Sequence, residues 1–269
     1  MFSFFKRKPV LSDEDVAFQR ETYKWLLKYF GGKDFYTHTQ LVLPTDAFFP
    51  SHIASPDEAV TTTFLQVRQH AGMGIWPCAL VPQEADDDTH VGPCLLIQQA
   101  PHSPNGTYCR YEGKAYISFN PELANHPARI VATFAHELGH YLTDDLPEPP
   151  PGGWENWEFA TDLTAVFLGF GIFSANTAFN FQQYANGESQ GWRSQRSGYL
   201  SDVELLFALA LFCQLKGIRP ESVTTYIKPS LKSMFLKCHK QIVRTEGLIA
   251  DIRSVSRVSQ SHDKHPRFE

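Results

Sequence analysis

The chain has 269 residues, 42% of them apolar and 20% charged, and a net charge of -5. That length buries a sizeable core without a disulfide or metal staple, and that composition excludes a mainly disordered chain. The acidic balance, with an isoelectric point near 6.1, argues against a general nucleic-acid binder.

The N-terminal run Met1-Phe-Ser-Phe-Phe-Lys-Arg-Lys-Pro9 lacks the long apolar stretch of a secretory signal. Five cysteines, at 78, 94, 109, 213 and 238, form no CxxC pair and no disulfide framework. They read as reduced thiols of a cytoplasmic protein.

Ser12 to Phe30 reads as a helix, with Asp13, Glu14 and Asp15 in its first turn and Gly31-Gly32 as its stop. Gln40 to Leu43 reads as a short strand ended by Pro44. Ser55-Pro56-Asp57-Glu58 is a helix start, with Ser as N-cap and Pro at the first position, and the helix should run to about Ala71. Trp76–Val81, Cys94–Gln99, Thr107–Tyr111 and Ala115–Phe119 are strand candidates. Tyr111-Glu-Gly-Lys-Ala115 reads as a hairpin turn. Asp86-Asp87-Asp88 reads as a solvated loop rather than a cation site.

From Pro127 onward the chain reads as helical. Pro127–Thr143 is one helix. Four prolines and two glycines between Pro147 and Gly153 form a rigid break. Trp154–Phe173 and Ser201–Lys216 follow as helices, then shorter helical stretches over 220–227, 229–244 and 246–258. Leu163 to Gly187 carries no charge, but only Leu163–Phe173 is densely apolar. A membrane span needs about 20 apolar residues, so a buried core helix is the better reading. Lys228, Lys232, Lys237, Lys240, Arg244, Arg253 and Arg257 read as a solvated basic face.

No repeat or long linker divides the chain. The expectation is one α+β domain over 1–258, with an N-terminal elaboration (1–75), a small sheet plus helix (76–143) and a mainly helical part (154–258). Residues 259–269 read as a polar, flexible tail.

The chemistry-bearing motif is His136-Glu137-Leu138-Gly139-His140. On a helix, two histidines four residues apart share a face, so both imidazoles can bind one zinc ion. Glu137, beside them, can reach a metal-bound water as general base. Ile130, Phe134, Leu138 and Leu142 supply the apolar line that packs such a helix. Gly139 costs helix propensity but admits a close neighbour. A catalytic zinc requires a third ligand. Glu158-Phe-Ala-Thr-Asp162 follows on the next predicted helix, and its carboxylates, four apart, can both face the first helix. Glu155 and Asp162 remain alternative ligands to Glu158.

HExxH followed by ExxxD resembles the gluzincin branch of the zincin metallopeptidases. That resemblance implies a zincin-like fold, Zn2+ bound by His136, His140 and Glu158, and Asp162 as the carboxylate that orients a zinc histidine. It implies Glu137 as catalytic base and a peptide or protein substrate. The stretches Leu43-Pro-Thr-Asp-Ala-Phe-Phe-Pro50, Ala160 to Asn176 and Gly198-Tyr-Leu-Ser201 also resemble a family of conserved bacterial proteins with similar strings around the same HExxH. That second resemblance implies a zinc site without naming a reaction. Beyond Asp162 no family-type histidine motif for the tetrahedral intermediate is found. Tyr199, Tyr184 and Tyr141 are candidates by residue type, with Tyr199 in a Gly-Tyr-Leu-Ser turn. The leading expectation is a zinc metallopeptidase without nucleic-acid partner or membrane span. The alternatives are a zinc-binding regulatory or partner-binding protein of zincin fold without turnover, and a scaffold in which HExxH is coincidental.

Overall fold

The computed structural model describes residues 9–50, 55–83, 89–91, 95–97, 105–185, 199–258 and 267–268. The fold is mixed α+β, mainly helical, with one small three-stranded sheet.

Helix α1 (Asp13–Phe30) and helix α2 (Pro56–His70) start as their sequences dictate. The Ser12 and Ser55 hydroxyls accept from the backbone N–H groups of Asp15 and Glu58, satisfying donors left open at a helix start. Between them Gln40–Leu43 forms no strand and joins no sheet among the described residues, which corrects the strand expectation. The Val42 N–H instead donates to the Gly169 carbonyl at 3.0 Å.

Strand β1 (Cys78–Pro82) is followed by the short antiparallel pair β2 (Thr89–Val91) and β3 (Leu95–Ile97). The Asp86–Asp88 loop and both ends of the expected Cys94–Gln99 strand lie outside the described residues. Strands β4 (Gly106–Tyr111) and β5 (Lys114–Phe119) form the expected hairpin. Its two-residue turn has Glu112 at φ 48° and Gly113 at φ 78°, the left-handed pair that matches strand twist. The sheet order is β1-β5-β4, with β1 parallel to β5.

Helix α3 (Pro127–Thr143) lies between this sheet and the later helices, touching β4, β5 and α2 as well as α4 (Trp157–Ala165) and α5 (Gly171–Ala185). Ile130, Phe134, Leu138 and Leu142 are buried as the periodicity requires. The helix expected over Trp154–Phe173 is divided. A 3-10 turn, Trp154–Asn156, leads into α4, and a π-helical turn, Val166–Phe170, separates α4 from α5. Gly169 causes the break. It adopts φ 103°, and a Cβ there would stand 2.0 Å from the Gln40 carbonyl oxygen. No side chain fits that position.

Helix α6 (Asp202–Lys216) opens on a reciprocal capping box between Ser201 and Glu204 and is apolar almost all round, so it runs through a core. Helices α7 (Glu221–Thr224), α8 (Pro229–Arg244) and α9 (Leu248–Arg253) complete the chain and are shorter than 220–227 and 246–258 suggested. One core joins α1, α4, α6, α8 and α9; a second joins α2, the sheet and α3. Trp154–Ala178 has the length and composition to cross a membrane, but 89% of its most apolar window is buried inside the protein. The tail expectation is corrected at one point. Arg267 is buried and donates to the Ala71 carbonyl and the Thr39 hydroxyl.

Candidate metal centre

The site forms where α3 crosses α4. Their approach depends on Gly139. A Cβ there would meet the Thr161 carbonyl oxygen and methyl at 3.1 Å, tighter than ordinary contact. The close backbone approach that the sequence suggested at Gly139 is therefore present. Gly139→Val adds a Cβ and two methyl groups to that crossing and is expected to cost about 1–3 kcal/mol. Denaturant unfolding of the metal-free protein measures it, and an unchanged midpoint would contradict the packing argument.

Across the crossing, His136 Nε2 lies 3.2 Å and His140 Nε2 3.4 Å from Glu158 Oε2. One ligand atom from each of the three residues lies within 4.8 Å of the other two. Tetrahedral bonds of about 2.1 Å place donor atoms about 3.4 Å apart. The donor set thus has the spacing and chemistry to hold a metal ion. Glu158 is half-exposed while His136 is buried, so the group opens to solvent on the Glu158 side.

The outer nitrogens of both imidazoles are engaged. His136 Nδ1 lies 2.9 Å from Asp162 Oδ1, and His140 Nδ1 lies 3.2 Å from the Thr161 hydroxyl. These contacts fix ring orientation and leave both Nε2 atoms turned to Glu158. Asp162 has a second task. Its Oδ2 accepts from the Leu200 N–H at 2.8 Å, fastening the chain around Tyr199 to α4. The Tyr199 ring consequently lies 5.5 Å from the His136 ring. A cavity of about 20 Å³, room for roughly one water, lies among His136, Asp162, Ser174 and Tyr199.

The electrostatics call for a cation. Burial disfavours a charged His136, but hydrogen bonds with Asp162 and Glu158 outweigh it and raise its pKa well above the ordinary value. Burial likewise opposes ionisation of Glu158, yet hydrogen bonds from both histidines hold its carboxyl far below the usual range. In the metal-free protein a proton at His136 partly fills the place of a metal charge. Burial raises the pKa of Glu137, opposed by the charges of His136 and His140. Burial also raises Tyr199, keeping its hydroxyl protonated.

The structure therefore brings together His136, Glu137, His140, Glu158, Asp162 and Tyr199. Tyr141 is directed elsewhere, its hydroxyl donating to the Pro77 carbonyl. The side chain of Tyr184 lies outside the described residues. Three contributors are not among the residues the motifs single out. Thr161 orients His140; Tyr108 stacks parallel to the His140 ring at 6.4 Å; and Gly106, at the start of β4, admits Glu137. A Cβ on Gly106 would stand 3.2 Å from Glu137 Oε1. For Thr161 a signal did exist: it lies three residues after Glu158, on the face the ExxxD pair defines. Asp162→Asn removes the carboxylate behind His136 and is expected to lower metal affinity about 10- to 100-fold. A metal titration of the folded variant reads this directly, and wild-type affinity would refute the orienting role.

No protein-family model, curated protein sequence or solved structure matches the chain.

Proposed function

We propose that the protein is a zinc-dependent metallopeptidase with a zincin-like active site. One observation carries the reading. Two imidazoles and a carboxylate converge at ligand spacing, with Glu137 beside them and a carboxylate behind His136. Imidazole nitrogens with one carboxylate oxygen suit zinc, and an opening toward solvent is what distinguishes a catalytic site from a closed structural one.

His136, His140 and Glu158 would hold the ion. Zinc bound by such a set lowers the pKa of a water to about 7 and polarises a carbonyl. The remaining chemistry belongs to the chain. Glu137 takes the proton of the attacking water and passes it to the leaving amine. Tyr199, protonated and close to His136, offers a donor to the developing oxyanion. Asp162 orients His136 and the Tyr199 segment together. The sheet supports a peptide as substrate. Among the described residues β4 is a terminal strand, and Gly106 at its start meets Glu137. An extended chain added beside β4 by main-chain hydrogen bonds carries its peptide bonds past that carboxylate.

Metal analysis after chelator-free purification, followed by cleavage of a broad peptide library, tests this. One zinc per chain and chelator-sensitive cleavage are expected. Zinc without any cleavage would favour a binding protein of the same fold; no zinc would remove the basis of both.

A further inference from the structure

We propose that Trp154, Glu155 and Trp157 form a subsite for a lysine or arginine side chain of the substrate, an inference that rests on the peptidase reading above. Trp154 is 53% exposed, unusual for the largest apolar side chain. Its ring packs on Trp157 at 4.6 Å, and Trp157 lies 6.0 Å from His140. The two indoles thus form a shelf from solvent to a metal-ligand candidate.

The shelf is held rigidly. Gly152 and Gly153 adopt φ 83° and 93°, and the Asn156 amide donates to the Pro151 carbonyl at 3.1 Å. A Cβ on Gly152 would stand 2.0 Å from Asn156 Nδ2. An exposed indole on a fixed turn is preorganised for a ligand and loses little entropy when one binds.

Charge selects the ligand. Ile130 to Ala185, the stretch that builds the site, contains seven carboxylates and no lysine or arginine. Asp144 and Asp145 share the single charge of Arg110, at 3.0 and 2.7 Å, and Glu148 is paired with Lys28 at 2.7 Å. Glu158 and Asp162 face the histidines, and Glu137 is buried behind them. Glu155 is left. It is exposed, lies between the two tryptophans in sequence, and has no ion pair among the described residues. A cation over an indole face is attracted by the ring quadrupole, and a neighbouring carboxylate adds to that attraction. A neutral apolar side chain gains only the ring contact, and an acidic one is repelled.

The test uses zinc-loaded Glu137→Gln protein, which should hold peptides without cutting them. The probes are acetylated, amidated hexapeptides with Arg, Lys, norleucine or Glu scanned through each position, and calorimetry measures binding. Arg and Lys peptides should bind roughly tenfold tighter than norleucine peptides at the best position. Trp154→Ala and Glu155→Gln should each remove most of that preference. Norleucine binding as tightly as Arg, or a preference unchanged in both variants, would overturn the subsite. Cleavage by the protein with Glu137 intact separates the two ideas. Selective binding without any cleavage would end the peptidase reading and leave the subsite standing. Cleavage indifferent to the cation, with indifferent binding, would do the reverse.

Discussion

Replacing Glu137 by glutamine is expected to lower peptide hydrolysis at least about 100-fold while leaving fold and zinc content intact. Glutamine keeps the length and hydrogen-bonding reach of the side chain, so the close approach to Gly106 survives. What disappears is the basic oxygen. Glu137 is not among the convergent ligand atoms, so the metal content of the variant should match the wild type. Full activity in the glutamine variant would place the base elsewhere.

The parts of this site that were legible in the sequence are those set by helix period. His136 and His140, and Glu158 and Asp162, are each four apart, and local backbone geometry alone puts each pair on one face. The bringing together of the two helices was legible only through Gly139, whose missing side chain has no local purpose. What escaped is what depends on distant chain. Gln40–Leu43 reads as a strand by composition, but the Val42 N–H finds its acceptor at Gly169 in a π-helical turn rather than on a neighbouring strand. The same contact breaks a helix that composition alone would run from Trp154 to Phe173. Tyr108 and Gly106 reach the site from β4, and neither residue type nor spacing distinguishes them from ordinary sheet residues. Arg267 belongs to a polar stretch by composition, yet its guanidinium is buried against Ala71. Sequence period reports which side of an element faces inward. It does not report which other element waits there.

Removing either histidine should abolish high-affinity metal binding, with affinity reduced by more than about 100-fold, because two donors hold zinc far less well than three. The two variants should differ sharply in the metal-free state. His136→Ala deletes the partner of Asp162, a buried carboxylate whose other contact is the Leu200 N–H. Leaving a buried charge without its partner costs about 3–5 kcal/mol. His140→Ala deletes the partner of Thr161, a neutral hydroxyl, and of Glu158, which is half-exposed and solvated. That loss should stay near 1 kcal/mol, the worth of an ordinary hydrogen bond. The contrast carries a pH signature. The pKa of His136 is raised in the folded protein. Its contribution to stability is therefore fully present below the unfolded value of about 6.5 and is lost as pH rises through the folded value. The penalty of His136→Ala, measured by urea unfolding with chelator present, should be largest near pH 6 and shrink toward alkaline solution. Equal penalties for both variants at pH 6 would mean that the Asp162–His136 pair contributes nothing to the folded state, and Asp162 would then serve the Leu200 backbone alone.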